Sequence, residues 1–92
     1  MANKVNLAIV IVTWNSKREI SKCLNSIKRY PSSVKYSIWI VDNASTDGTV
    51  ELLERTYPGV SLIKNSDNEG FSKANNQALK QINSEYILLL KS

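Results

Sequence analysis

Histidine is missing from the 92-residue chain, and cysteine occurs once, as Cys23. Without His there is no Ser-His-Asp triad, no imidazole acid–base group and no His metal ligand. One Cys makes neither an intramolecular disulfide nor a zinc cluster, so nothing signals an oxidising compartment and the cytosol is the default expectation. The three glycines, Gly48, Gly59 and Gly70, build neither the dinucleotide fingerprint nor the Walker phosphate loop, which argues against NAD and P-loop chemistry. Long apolar runs are also lacking. Leu7–Val12 and Ile87–Leu90 fall far short of the roughly 18 residues that cross a bilayer. No apolar signal segment follows Met1–Lys4, and a soluble chain without a membrane span is expected.

What remains is 42% hydrophobic and 22% charged, ordinary usage for one globular domain over residues 1–92. The net charge of +4 is unevenly placed: residues 1–35 hold seven bases and one acid, the remainder five bases and seven acids. Five of the seven early bases fall within Lys17–Arg29 at helical spacing, so a solvated helix face is a simpler account than nucleic-acid binding. A basic helix beside a bacterial inner membrane or a polyanionic substrate is a comparable minor option.

Leu7–Thr13 is a continuous β-branched run, as in a strand buried on both faces of a parallel sheet. Ser16-Lys-Arg-Glu19 has the capping-box spacing, with the Ser16 hydroxyl taking the Glu19 amide. Ile20, Cys23, Leu24 and Ile27 then form an apolar helical stripe toward the sheet, and Pro31 stops it. Cys23 is thereby placed in the core rather than as a nucleophile. Tyr36–Val41 reads as a second strand and Asp42–Thr49 as a polar loop. A helix carrying Val50, Leu53 and Tyr57 follows, stopped by Pro58-Gly59. Val60–Lys64 is a third strand, Asn65–Gly70 a second polar loop, and Phe71–Ile82 a third helix with Phe71, Ala74, Ala78 and Ile82 on one face. Glu85–Leu90 reads as a fourth buried strand. Ile9, Ile11, Ile38, Ile40, Leu62, Ile87 and Leu89 are the expected sheet core, packed by Leu24, Ile27, Leu53, Phe71 and Ile82.

This β-α-β-α-β-α-β order predicts an open, mostly parallel sheet with helices on both sides. Ligands of such sheets bind beyond the carboxyl ends of the strands. The polar residues gather there, as Thr13-Trp14-Asn15, Asp42-Asn43 and Asn65–Gly70. Asp42 at a strand tip has two readings of equal weight: it accepts from a base N–H or a ribose hydroxyl, or it braces its own loop. Gly70 offers a positive φ or a close backbone approach, and the helix after it offers free amides to phosphate; plain loop-to-helix punctuation is the simpler alternative.

Val5–Asn15 ending Ile-Val-Thr-Trp-Asn, Val41–Thr49, and Asn68-Glu-Gly-Phe71 with Ala74-Asn-Asn76 together resemble the amino-terminal half of family 2 glycosyltransferases, especially the rhamnosyltransferase-like branch, over nearly the whole chain. The resemblance implies a Rossmann-like three-layer α/β/α fold of the GT-A type, with a four-stranded sheet in the order 3-2-1-4. It implies transfer of a sugar from a UDP- or dTDP-linked donor to a carbohydrate or lipid-linked acceptor in cell-surface polysaccharide synthesis. The implied location is cytoplasmic, including the cytoplasmic face of the inner membrane. Thr13, Trp14 and Asn15 would meet base and ribose, Asp42 would read a uracil or thymine edge, and Asn43 and Asp47 would shape that loop. Asn68, Gly70, Phe71, Asn75 and Asn76 would line the diphosphate and sugar side. Two departures are mild: Trp14 where Tyr is usual and Ala78 where Gly is common.

The family's metal motif, Asp-x-Asp or a variant, is expected directly after Leu90, where Lys91-Ser92 stands. No catalytic or metal-binding residue is therefore assigned within the chain. Mn2+ or Mg2+ is expected in the full-length enzyme, together with an acceptor half and its general base. The chain thus looks like an excised nucleotide-binding half, inactive alone. The alternatives are a stand-alone nucleotide or nucleotide-sugar binding module without catalysis, and a generic doubly wound domain whose Asp42 loop takes another phosphate-bearing metabolite.

Overall fold

The computed structural model describes residues 6–29 and 35–91. Pro31, expected to stop the first helix, lies outside them. The elements alternate as β1 (Asn6–Thr13), α1 (Lys17–Arg29), β2 (Lys35–Asp42), α2 (Thr49–Thr56), β3 (Ser61–Lys64), α3 (Phe71–Leu79) and β4 (Tyr86–Lys91). The sheet has four strands in the order β3-β2-β1-β4, and every pairing is parallel. The fold class and strand order are those expected. Because the strands run one way, their carboxyl ends share one edge, with Thr13 opposite Asp42, Asp42 opposite Lys64, and Val12 opposite Lys91.

The continuous apolar character of β1 is needed because both of its faces are covered. Ile9 and Ile11 join Ile38 and Ile40 under Ile20 and Leu24 of α1 and Leu53 of α2, with Tyr57 closing this layer. On the other face Val10, Val12 and Val41 lie under Ala74 and Ala78 of α3. The chain moves outward from β1 to β3 and then returns past β1 to β4. Right-handed crossovers in opposite directions place their helices on opposite faces, hence three layers. Fully burying a side chain such as Leu24 contributes about 1.5–3 kcal/mol.

Several expectations change. Among the described residues β4 pairs with β1 only, and Tyr86, Ile87, Leu88 and Leu89 are 59%, 40%, 45% and 44% exposed. The fourth strand is therefore an uncovered edge rather than a buried one, and Ile87 and Leu89 leave the predicted core, because α3 packs chiefly on β1 and β2. Phe71, at the first turn of α3, is also exposed, while Leu62 on the short β3 edge is half-buried. α3 ends at Leu79, and Ile82 reaches the core from the turn beyond. The capping box is replaced by another arrangement: the Ser16 hydroxyl donates to the Trp14 carbonyl at 3.0 Å, and the first α1 amide, that of Lys17, donates to Asp47 Oδ2 at 3.1 Å.

Candidate functional site

The loops after β1, β2 and β3 meet at the carboxyl edge and are joined by hydrogen bonds. Asp42, 1% exposed, accepts the Ser45 amide on Oδ2 at 2.9 Å and the Ser45 hydroxyl on Oδ1 at 2.6 Å. That hydroxyl oxygen in turn accepts the Asn15 amide at 2.9 Å, and Asn15 Oδ1 accepts the Thr46 amide at 2.7 Å. Ala44 at φ 65° and Asn15 at φ 48° adopt left-handed backbone. The Asp42–Ser45 clamp holds the β2 loop in that strained turn, the kind of backbone that clusters at functional sites.

Behind this clamp lies an amide cluster. The Asn43 amide donates to the Thr13 carbonyl at 2.9 Å, and the Asn43 side chain donates to the Gly70 carbonyl at 3.2 Å. Asn43 Oδ1 accepts Asn65 Nδ2 at 2.9 Å and the Glu69 amide at 3.3 Å. Asn65 exchanges two side-chain bonds with Gln77 of α3, at 2.8 and 3.0 Å. The ends of β1, β2 and β3 are thereby tied to α3.

Asp47 bridges two helix starts. Its Oδ2 accepts the Lys17 amide that begins α1, and its Oδ1 accepts the amide and hydroxyl of Thr49 that begin α2. Burial acts to raise its carboxyl, but the bonds from the Thr49 hydroxyl and the Lys17 and Thr49 amides outweigh this and hold it below the ordinary value. The reason is that hydrogen bonds to the charged form favour it.

Of the residues singled out from the sequence, Thr13, Asn15, Asp42, Asn43, Asp47 and Gly70 join this network, and Asn68 Oδ1 accepts the Gly70 amide at 2.9 Å. Gly70 has φ 83°, the positive value its place before a helix suggested, and caps α3 without a side-chain bond. Trp14 is 53% exposed on the rim. Phe71 is exposed, with Lys91 Nζ 5.9 Å from its ring centre. Asn75 is 4% exposed, and its Oδ1 has no hydrogen-bond partner among the described residues. Asn76 is exposed and lines a shallow groove along α3 with Lys73, Gln77 and Lys80, apart from the clamp. Sequence reasoning missed Ser45 and Gln77. The Asp-x-x-Ser spacing of a side-chain-braced turn could have found Ser45; Gln77 carries no local signal.

Among the described residues no three His, Cys, Asp or Glu side chains gather as a metal site. Asp42 and Asp47 are engaged by their own loops, and β4 ends on the cation Lys91. These residues do not fit a divalent cation.

An open parallel sheet with its order reversing beside β1, with polar loops tied together at the carboxyl edge, is the arrangement of a GT-A transferase fold. Solved structures with that fold are similar to this chain. A mannosyltransferase of Pyrobaculum calidifontis in complex with GDP-Man and Mn2+ superposes with TM-score 0.82 at 27% identity, covering 96% of this chain and 27% of that one. Residues 1–349 of Staphylococcus aureus TarS in complex with UDP give TM-score 0.82 at 28% identity, covering 95% and 27%. The sequence profile of glycosyl transferase family 2 matches residues 8–92, and the chain belongs to that family. It is 31% identical over 80 residues to the glycosyltransferase AglE of Haloferax volcanii, covering 82% of this chain and 26% of that protein. It is also 31% identical over 94 residues to TarS, a poly(ribitol-phosphate) beta-N-acetylglucosaminyltransferase, covering 96% and 16%. The chain thus spans about a quarter or less of the length of these relatives.

Proposed function

We propose that the chain is the donor-nucleotide-binding part of a glycosyltransferase that moves a sugar from a UDP- or dTDP-linked donor to a cell-surface acceptor. The observation that carries this is the Asp42–Ser45 clamp, a buried carboxylate held at the tip of β2 beside Thr13 and Asn15. A carboxylate has about four lone-pair sites, and Ser45 takes two, so Asp42 still accepts the imide N–H of uracil or thymine. The two sequence-level readings of Asp42 therefore join: the brace aims the acceptor.

Trp14 offers a ring on the rim for the base, since an exposed indole stacks at little cost. Asn15 faces the ribose, and Asn43 and Asp47 hold the loop. On the diphosphate side, the uncapped amino end of α3 after Gly70 presents amides to phosphate, Asn68 fixes the Gly70 turn, and Lys91 above Phe71 adds a cation. Asn75 Oδ1 accepts a sugar hydroxyl, and Asn76 lies at the outer margin. The divalent cation expected in the full-length enzyme takes no ligand from these residues, and the isolated chain is inactive in transfer. TarS, named for poly(ribitol-phosphate), supports an acceptor bearing phosphate. A cytoplasmic location belongs to the same reading; among the described residues no helix is long and apolar enough to cross a membrane.

Titrating UDP and dTDP into isotope-labelled protein tests this. Millimolar binding, about −4 kcal/mol, is expected, with amide shifts at Thr13–Asn15, Asp42–Ser45 and Gly70. Asp42→Ala removes a hydrogen bond to a charged group worth about 1.5–3 kcal/mol and abolishes the shifts, whereas Ser45→Ala keeps the carboxylate and weakens them. Shifts at the amino-terminal edge of the strands, or unchanged binding by a folded Asp42→Ala variant, would overturn the site. Sugar transfer by pure 92-residue protein with Mn2+ or Mg2+ would overturn the inactivity.

A further inference from the structure

A groove of about 640 Å³ runs along the flank of α1 from Asn15 to Asn25, with Leu52 of α2 on its other side and Asp47 at its head. Lys17, Arg18, Ser21, Lys22 and Asn25 fall at i, i+1, i+4, i+5 and i+8 of α1, one strip two turns long, with Arg18 and Lys22 one turn apart. None of the three cations has an ion-pair partner among the described residues, whose ion pairs are Lys64–Glu54 and Lys73–Glu69. Two acids share the groove. Asp47 is already held by the Lys17 and Thr49 amides, and Glu19 is exposed on the first turn.

A second depression of about 300 Å³ shares Lys17 and Leu52 with this groove and lies over Ser45, Thr46 and Gly48, where Arg55 stands with Glu51. Gly48 leaves room for the Lys17 side chain between the two: a Cβ there would stand 3.2 Å from Lys17 Nζ. Ser45 and Asn15 belong to both the track and the Asp42 clamp, so an occupant of the track reaches the loops after β1 and β2.

We propose that this track binds the phosphodiester backbone of an anionic acceptor polymer, an inference that rests on the acceptor reading above. A solvated helix face would account for exposed bases, but not for three bases without ion-pair partners along one open groove that shares Asn15 with the Asp42 clamp. The cations would meet successive phosphates, Ser21 and Asn25 the hydroxyls between them, and Leu52 their carbon chain. The donor diphosphate, on the Gly70 side, does not compete for it.

The test is binding of linear inorganic polyphosphate, with dextran as the neutral control, to the 92-residue chain. Shifts along Asn15–Asn25 and at Leu52 are expected, weakening with added salt as for any polyanion held by cations. Arg18→Glu with Lys22→Glu should lower affinity about tenfold or more, about 1.4 kcal/mol per decade, and leave UDP shifts intact. Lys73→Glu with Lys80→Glu, the same charge change on α3, should leave polyphosphate binding within a few-fold of the parent. Equal losses in the two double variants, or shifts spread over all lysines, would overturn the track in favour of non-specific attraction. Binding of phosphatidylglycerol vesicles through Arg18 and Lys22 with none of polyphosphate would overturn it in favour of a membrane surface. Loss of UDP shifts in the parent chain would instead count against the nucleotide site and leave the polyphosphate result to stand on its own.

Discussion

Asp47 shows how one exposed side chain takes on a structural role through its neighbours. It accepts from the first residues of both α1 and α2, so it stands in for two caps and joins the loops on either side of the proposed base pocket. Replacing it by Ala should cost about 1 kcal/mol, a typical capping loss, read by urea unfolding at pH 7. Its carboxyl titrates lower in the folded chain than in the unfolded chain. Its contribution is therefore complete above the ordinary carboxylate value near ~4 and is lost as pH falls through the lower folded value. The stability gap between parent and Asp47→Ala should close as pH drops from about 5 toward about 2. A gap that stays constant over that range would mean that the carboxylate is not what α1 and α2 depend on.

The turn into α3 is the element on which the second half of the site rests. Gly70, at φ 83° and ψ 171°, occupies a region essentially closed to other residues. Its carbonyl accepts from Asn43, and its amide donates to Asn68. A Cβ at this position would meet nothing within 4 Å, so the penalty of Gly70→Ala is backbone strain alone. A loss of about 1–3 kcal/mol is expected, seen as a lower urea midpoint with an unchanged slope. Because the helix start moves with the turn, the UDP shifts at Gly70 should weaken too. An Ala variant as stable as the parent would show that the turn is not held in this conformation.

For the whole molecule the decisive feature is the asymmetry of its two sheet edges. β3 is short and carries Lys64 paired to Glu54, whereas β4 presents one edge unpaired among the described residues and an apolar run that is part-exposed on both faces. Long apolar edges invite pairing with other chains. The 92-residue chain should therefore self-associate with rising concentration, and Leu88→Lys with Leu89→Lys, one on each face, should reduce this in light scattering while keeping the far-UV spectrum. Undiminished association in that variant would place the contact elsewhere.

The order of elements, the two apolar faces of β1, the polar loops at the strand tips and the positive φ of Gly70 were legible in the sequence, because each follows from local periodicity or from one residue's own backbone preference. The placing of Asp42 at a strand tip was legible in the same way. Only the tertiary structure decided that α1 is capped by Asp47 rather than by Ser16 and Glu19, and that Asn43, Asn65 and Gln77 form one cluster. It also decided that Asn75 is buried and that Ile87 and Leu89 are not. Periodicity tells which faces are apolar but not what lies against them. The partners of a loop side chain are set by parallel pairing, which brings Thr13, Asp42 and Lys64 into one row from positions far apart in the chain.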